Sequence, residues 1–123
     1  MTGIVTPERE AILRVGVSGP TGRRREFDAV VDTGFNGFLA LPRACVSALG
    51  LRYHSQATGT LADGSKTTMA RYEVQIDWHG RTREVLALEV DGGPFLGMRL
   101  LEGNRMTVEI VSGGSLVIES MAG

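Results

Sequence analysis

The sequence is poor in the residues that staple small folds or carry cofactors. It holds a single cysteine, Cys45, among 123 residues. A lone thiol excludes an intramolecular disulfide framework and fits a reducing compartment. No histidine stands in a motif around it, so Cys45 reads as a buried structural thiol rather than a nucleophile. Two histidines occur, His54 and His79, far apart and without partners at ligand spacing, so neither a metal site nor another cofactor is expected. Aromatic residues are 6% of the chain and prolines number 4, against 17 glycines, a balance that suggests many turns and short strands. Charge of one sign is also missing. A formal net charge of -1, from 13 basic and 14 acidic residues, argues against a nucleic-acid or anionic-membrane surface. No apolar stretch approaches the roughly 20 residues needed to span a bilayer. Met1 to Glu10 lack the apolar core and basic leader of a secretory signal, so a cytoplasmic protein is expected.

What is present is a chain of one-domain size, read as a single domain over 1–123. Ala11 to Val17 reads as a strand, and Gly19-Pro20-Thr21-Gly22 turns it back into a second, Arg25 to Val31. Arg23-Arg24-Arg25, the only basic run, reads as a solvated strand start. Pro42 opens a short helical pattern, Arg43 to Leu49, closed by Gly50. Asp63-Gly64 among threonines signals a hairpin, and few large apolar residues anchor it, so it is expected to project and move. Tyr72, Val74, Ile76 and Trp78 alternate with polar residues in the period of a half-buried strand, which makes Trp78 core. Thr82 to Val90 suggests a more fully buried strand. A short helical segment follows through Leu100 and Leu101 to Gly103. Met106 to Val111 and Leu116 to Glu119 read as the last two strands, joined across Ser112-Gly113-Gly114-Ser115. The class is therefore all-β with two brief helices.

The stretch that carries chemistry is Asp32-Thr33-Gly34. Val30 and Val31 end a buried strand there, and a carboxylate follows where apolar support gives way to tightly turned backbone. After Phe35-Asn36-Gly37 the apolar character resumes at Phe38-Leu39-Ala40-Leu41. A carboxylate held between apolar segments is a candidate for acid–base work, because its neighbours can tune it. Taken alone, the tripeptide is equally an ordinary turn-capping aspartate. Phe95-Leu96-Gly97 echoes the same pattern, a strand ending in glycine before a short helix, which suggests two halves packed back to back.

In order along the chain, the Val30 to Gly34 turn, the hairpin at Asp63-Gly64 and the Phe95-Leu96-Gly97 unit resemble the retropepsin-like aspartic proteases, in particular the small single-domain bacterial and retroviral-type members. The resemblance spans about Ile12 to Ile118. It implies a closed β-barrel of the acid-protease type, a two-fold homodimer and an endopeptidase acting on a peptide or protein substrate. Each subunit would supply one Asp32, Thr33 would brace the two turns across the dimer, and Gly34 would line the channel. The hairpin around Leu61, Ala62, Asp63 and Gly64 would fold over an extended peptide, with Asn36 and Phe95 also on the substrate side. No metal or other cofactor is implied. Where relatives carry alanine or serine after Asp-Thr-Gly, this chain has Phe35, which either narrows the channel or packs under the turn. The alternative reading is a dimeric β-barrel that binds extended peptides or partner proteins without cutting them.

Overall fold

A computed structural model describes residues 1–121 of the chain. Ten strands and two short helices follow one another as β1 (Thr2–Val5), β2 (Ala11–Ser18), β3 (Arg24–Val31), β4 (Leu39–Pro42), α1 (Arg43–Leu49), β5 (Arg52–Thr60), β6 (Lys66–Trp78), β7 (Arg81–Val90), β8 (Phe95–Leu96), α2 (Met98–Leu101), β9 (Asn104–Val108) and β10 (Ser115–Ser120). The strands run β5-β6-β7-β4-β8-β3-β2-β1-β10-β9, and β6 also pairs with β2 through Val17–Ile76 and Ser18–Gln75. That extra pairing closes β6, β7, β4, β8, β3 and β2 into a six-strand barrel. Two appendages remain outside it, β5 with the first part of β6 on one flank and the β1-β10-β9 side sheet on the other.

Alternation builds the core. Leu13, Val15 and Val17 on β2, Val74, Ile76 and Trp78 on β6, and Val85 and Ala87 on β7 all turn inward. Leu39, Leu41 and Leu96 fill the barrel between them, and Leu116 and Ile118 seal the side sheet. Full burial of each large aliphatic side chain contributes ~1.5–3 kcal/mol. Among the described residues no polar or charged residue is buried, so the barrel interior has no unpaired group to compensate.

Helix α1 shows the expected C-terminal device. Gly50 sits in the left-handed region at φ 61°, and the N–H groups of Gly50 and Leu51 reach back to Ser47 O and Val46 O. Pro42, expected just inside the helix, is instead its extended N-cap residue (ψ 154°) and the last residue of β4. The ninth strand also differs from its expected span. It begins two residues earlier and stops at Val108, because Val111 N–H bonds to Glu109 O and Gly113 N–H bonds to Val5 O, turning the chain before Ile110 and Val111 can pair. These two side chains are consequently 70% and 60% exposed. Strands β1 and β4 carry too few residues to show a period. The two glycine-ended units do not lie back to back. Strand β8 inserts between β3 and β4, parallel to β3 (Val30–Phe95, Val31–Leu96) and antiparallel to β4 (Leu39–Leu96, Ala40–Phe95).

Candidate active site

This insertion creates a junction at which Asp32 stands. Val30 N–H bonds to Pro94 O at 3.0 Å and Asp32 N–H to Leu96 O at 2.9 Å, so the β3–β8 pairing runs through the acid itself. Past Asp32 the chain reverses in a turn closed by Phe35 N–H to Asp32 O at 3.1 Å. On the β8 side the strand continues into Gly97, whose N–H bonds to Phe38 O at 3.0 Å. Met98 N–H then reaches Phe35 O at 2.8 Å and Arg99 N–H reaches Gly37 O at 3.2 Å. The turn that carries the carboxylate is thus held from both sides by backbone bonds to a segment distant in sequence.

The carboxylate is half-buried, and its Oδ1 accepts the Gly34 N–H at 2.9 Å. Among the described residues its second oxygen has no hydrogen-bond partner. Thr33, Gly34 and Asn36 are exposed, and the Thr33 hydroxyl finds no acceptor among the described residues. Phe35 resolves one of the two possibilities left by the sequence. Its ring lies against Gly37 and Gly97, close enough that a Cβ on Gly37 would stand 2.6 Å from a ring carbon and one on Gly97 2.7 Å. The ring therefore packs under the turn, in space that the two glycines leave open.

Phe95 is placed one strand away from the acid, paired with Val30. Leu61, Ala62, Asp63 and Gly64 form the tip of the β5–β6 hairpin and are all exposed, Leu61 by 52%. Among the described residues no hydrogen bond joins that tip to the Asp32 turn. The tip is tied to itself. Leu61 N–H bonds to Ser65 O at 2.7 Å, and Asp63 Oδ1 accepts both the Ser65 N–H (2.8 Å) and the Ser65 hydroxyl (2.5 Å). Those two bonds hold the Asp63 carboxyl below the usual carboxylate range.

Sequence reasoning missed Phe38. The guanidinium of Arg83 lies 5.3 Å from its ring centroid and that of Arg99 5.9 Å, so two cations share one ring beside the junction. No periodicity links residues 38, 83 and 99; the parallel β4–β7 pairing and the Gly97 N–H to Phe38 O bond bring them together. The two histidines are engaged elsewhere: His79 Nε2 lies 2.6 Å from Asn104 Oδ1, and His54 Nδ1 lies 2.8 Å from Ser55 Oγ. No group of three or more His, Cys, Asp or Glu side chains that could hold a metal ion is found among the described residues. No helix among them is long and apolar enough to cross a membrane. Two concavities of about 350 and 330 Å³ flank β6, one lined by Phe38, Arg52 and Val85 and the other by Arg43, Thr68 and Glu89. Neither includes Asp32.

No protein-family model matches the chain, and no curated protein matches it. Among solved structures it is similar to the EIAV protease complexed with the inhibitor HBY-793, with a TM-score of 0.55 over 77% of this chain and 88% of that one. The two share a fold. At 19% identity the likeness extends to the barrel and its topology, and chemistry has to be argued from the residues of this chain.

Proposed function

We propose that the chain is one subunit of a dimeric aspartic endopeptidase whose catalytic dyad is Asp32 from each of two copies. The observation that carries this reading is the Asp32 carboxylate itself. It is fixed through Oδ1 by the Gly34 N–H, its other oxygen has no partner among the described residues, and it stands at a strand junction of a retroviral-protease-like barrel. One Asp-Thr-Gly per chain supplies half a dyad, so the chemistry needs a second copy.

Two carboxylates a few ångströms apart cannot both ionise, so the pair would hold one proton between them. The ionised member takes a proton from a bound water as the water attacks the peptide carbonyl. The protonated member hydrogen-bonds the carbonyl oxygen and later helps protonate the leaving nitrogen. The two titrations belong to the pair rather than to either residue. Thr33, exposed and without an acceptor among the described residues, is suited to bonding across to the other copy. The Leu61 to Gly64 tip would close over an extended peptide that adds as a strand, with Asn36 and Phe95 on the substrate side.

The test is Asp32→Asn in the purified chain, assayed on a peptide library at acidic pH. Loss of cleavage with an unchanged urea midpoint is expected. Undiminished cleavage by the variant would overturn the assignment. A dimer that holds labelled peptide but never turns it over would leave a binding module in its place.

A further inference from the structure

We propose that Arg83 and Arg99, resting on the Phe38 ring, form a carboxylate clamp that makes the endopeptidase select peptides with an acidic side chain about three residues from the bond it cuts. The inference rests on the dyad reading and deepens it by naming the class of substrate.

The two guanidinium groups, 5.3 and 5.9 Å from one ring centroid, have no counterion. Other arginines of the chain do: Arg14 holds Glu26 and Asp28, Arg24 holds Glu26 and Asp77, and Arg43 holds Glu89. Among the described residues neither Arg83 nor Arg99 forms an ion pair or a side-chain hydrogen bond. The acids nearest in sequence are turned away by the fold. Glu84 follows Arg83 on β7 and so lies on the opposite face of the strand, across from Gln75. Glu102 comes three residues after Arg99, but its backbone has already left the helix (ψ 134°).

Burial sharpens the demand for an anion. Arg83 is half-buried and continues the row of Val85 and Ala87, with Ile76 opposite it in the register, and all three of these neighbours are buried. Its charge therefore closes an apolar row. A second cation on the same ring adds repulsion, and the ring's attraction for each offsets only part of the cost. A guanidinium lying against an aromatic ring keeps its N–H edge free, and that planar fork matches a carboxylate. Arg99 is exposed, so the pair can be reached from solvent.

A single peptide group sets the distance from the acid. Leu96 O accepts the Asp32 N–H at 2.9 Å, and the Gly97 N–H donates to Phe38 O at 3.0 Å. Both groups belong to the bond between residues 96 and 97, so Asp32 and Phe38 flank one chain and stand two strand spacings apart, about 10 Å. An extended peptide advances about 3.3 Å per residue. The clamp accordingly meets a side chain roughly three residues from the bond over the dyad. In a two-fold dimer one clamp falls on each side of that bond.

The experiment uses peptides identical except for Glu, Gln or Lys placed at each position up to four residues on either side of the cleaved bond. Turnover is measured as kcat/KM for the parent, Arg83→Gln, Arg99→Gln and the double variant, with folding verified by circular dichroism and urea titration. Binding of the same peptides, fluorescently labelled, is measured on Asp32→Asn with and without the two arginine substitutions. The parent should favour Glu over Gln by roughly 3- to 30-fold at the clamp position and should disfavour Lys. That ratio should fall toward one in the double variant, and in the parent at about 1 M salt, where the screening length is about 3 Å. If Arg83→Gln fails to fold, the exposed Arg99→Gln should still lower the ratio. A parent that cleaves Glu and Gln peptides equally at every position would overturn the clamp and leave the dyad standing. A Glu preference that survives both substitutions would overturn the assignment to these arginines. Arginine-dependent binding of Glu peptides without turnover by the parent would support the clamp and sink the protease reading. Neither binding nor turnover of any peptide would overturn both.

Discussion

Gly97→Ala isolates what holds the Asp32 turn in place. The backbone at Gly97 is extended, φ −107° and ψ 173°, a conformation open to alanine, so any penalty comes from contact rather than from the dihedral. The added Cβ would stand 2.1 Å from Gly37 O and 2.7 Å from Cδ2 of Phe35. A ring can rotate or slide. The carbonyl has less freedom, because it accepts the Arg99 N–H at 3.2 Å and sits one residue before Phe38, whose O accepts the Gly97 N–H at 3.0 Å. Forcing the two chains apart costs about 1–3 kcal/mol as overpacking, and each backbone bond that lengthens adds about 0.5–1.5 kcal/mol. With one such bond the sum, ~1.5–4.5 kcal/mol, corresponds to a melting temperature lower by roughly 5–25 °C in a chain of this size. Urea titration at constant m-value is the assay. Gly103→Ala serves as the contrast, since its Cβ meets nothing within 4 Å but its φ is +81°, so only the dihedral cost of about 1–2 kcal/mol applies. Combining Gly97→Ala with Phe35→Ala should recover part of the loss and leave most of it, because the oxygen is the nearer obstacle. A Gly97→Ala midpoint within about 0.5 kcal/mol of the parent, inside the range of ordinary surface changes, would refute the claim that this junction is closely packed.

Two further outcomes follow from groups whose titration the structure shifts. Bonds from the Ser65 hydroxyl and N–H lower the Asp63 carboxyl, so the ordering it gives the hairpin tip is complete above the ordinary aspartate range and is lost as pH falls through the lowered value. An NMR titration should find its midpoint below that of an aspartate in an unstructured peptide, and Ser65→Ala should move it back up; a midpoint at or above the peptide value would contradict the geometry. Burial raises the half-buried Cys45 thiol, with the positive charge of Arg25 opposing as the smaller effect, so at mildly alkaline pH the folded chain should react with a disulfide reagent more slowly than the urea-unfolded chain. Equal rates in the two states would show that the thiolate is as available in the fold as outside it.

Much of the fold was legible because its long strands carry a clear period. Val74, Ile76 and Trp78 alternate with polar neighbours along the second half of the thirteen-residue β6 and are buried as that pattern requires. The β5–β6 hairpin announced itself through Asp63-Gly64, and α1 through Pro42 and Gly50, because turn and cap chemistry is local. Strands β1 and β4, of four residues each, are too short to show a period and left no trace as strands, whereas β8, of two, was legible only as the strand end at Phe95-Leu96-Gly97. The ninth strand was placed too late because Ile110 and Val111 look like strand residues, while the bonds that end the strand come from Glu109, Val5 and Gly114. Asp32 could be picked out from its neighbours. Its anchorage could not, because Leu96 O and the Gly97 contacts lie more than sixty residues further along the chain.

Phe35 shows how local and distant information combine at this site. Read alone, a large ring directly after Asp-Thr-Gly is as compatible with a blocked channel as with a packed one. In the fold the ring takes the volume that Gly37 and Gly97 leave empty, one from its own turn and one from across the junction. The three positions are therefore matched in size, and a bulky residue at 35 requires glycine at both of the others. Size matching also ties stability to chemistry. The contacts that accommodate the ring are made by the same backbone that presents Phe35 O to Met98 and Gly37 O to Arg99, and so fix the turn carrying Asp32 relative to α2. A change in ring volume should accordingly reach the acid through the backbone, by altering how firmly the turn is held.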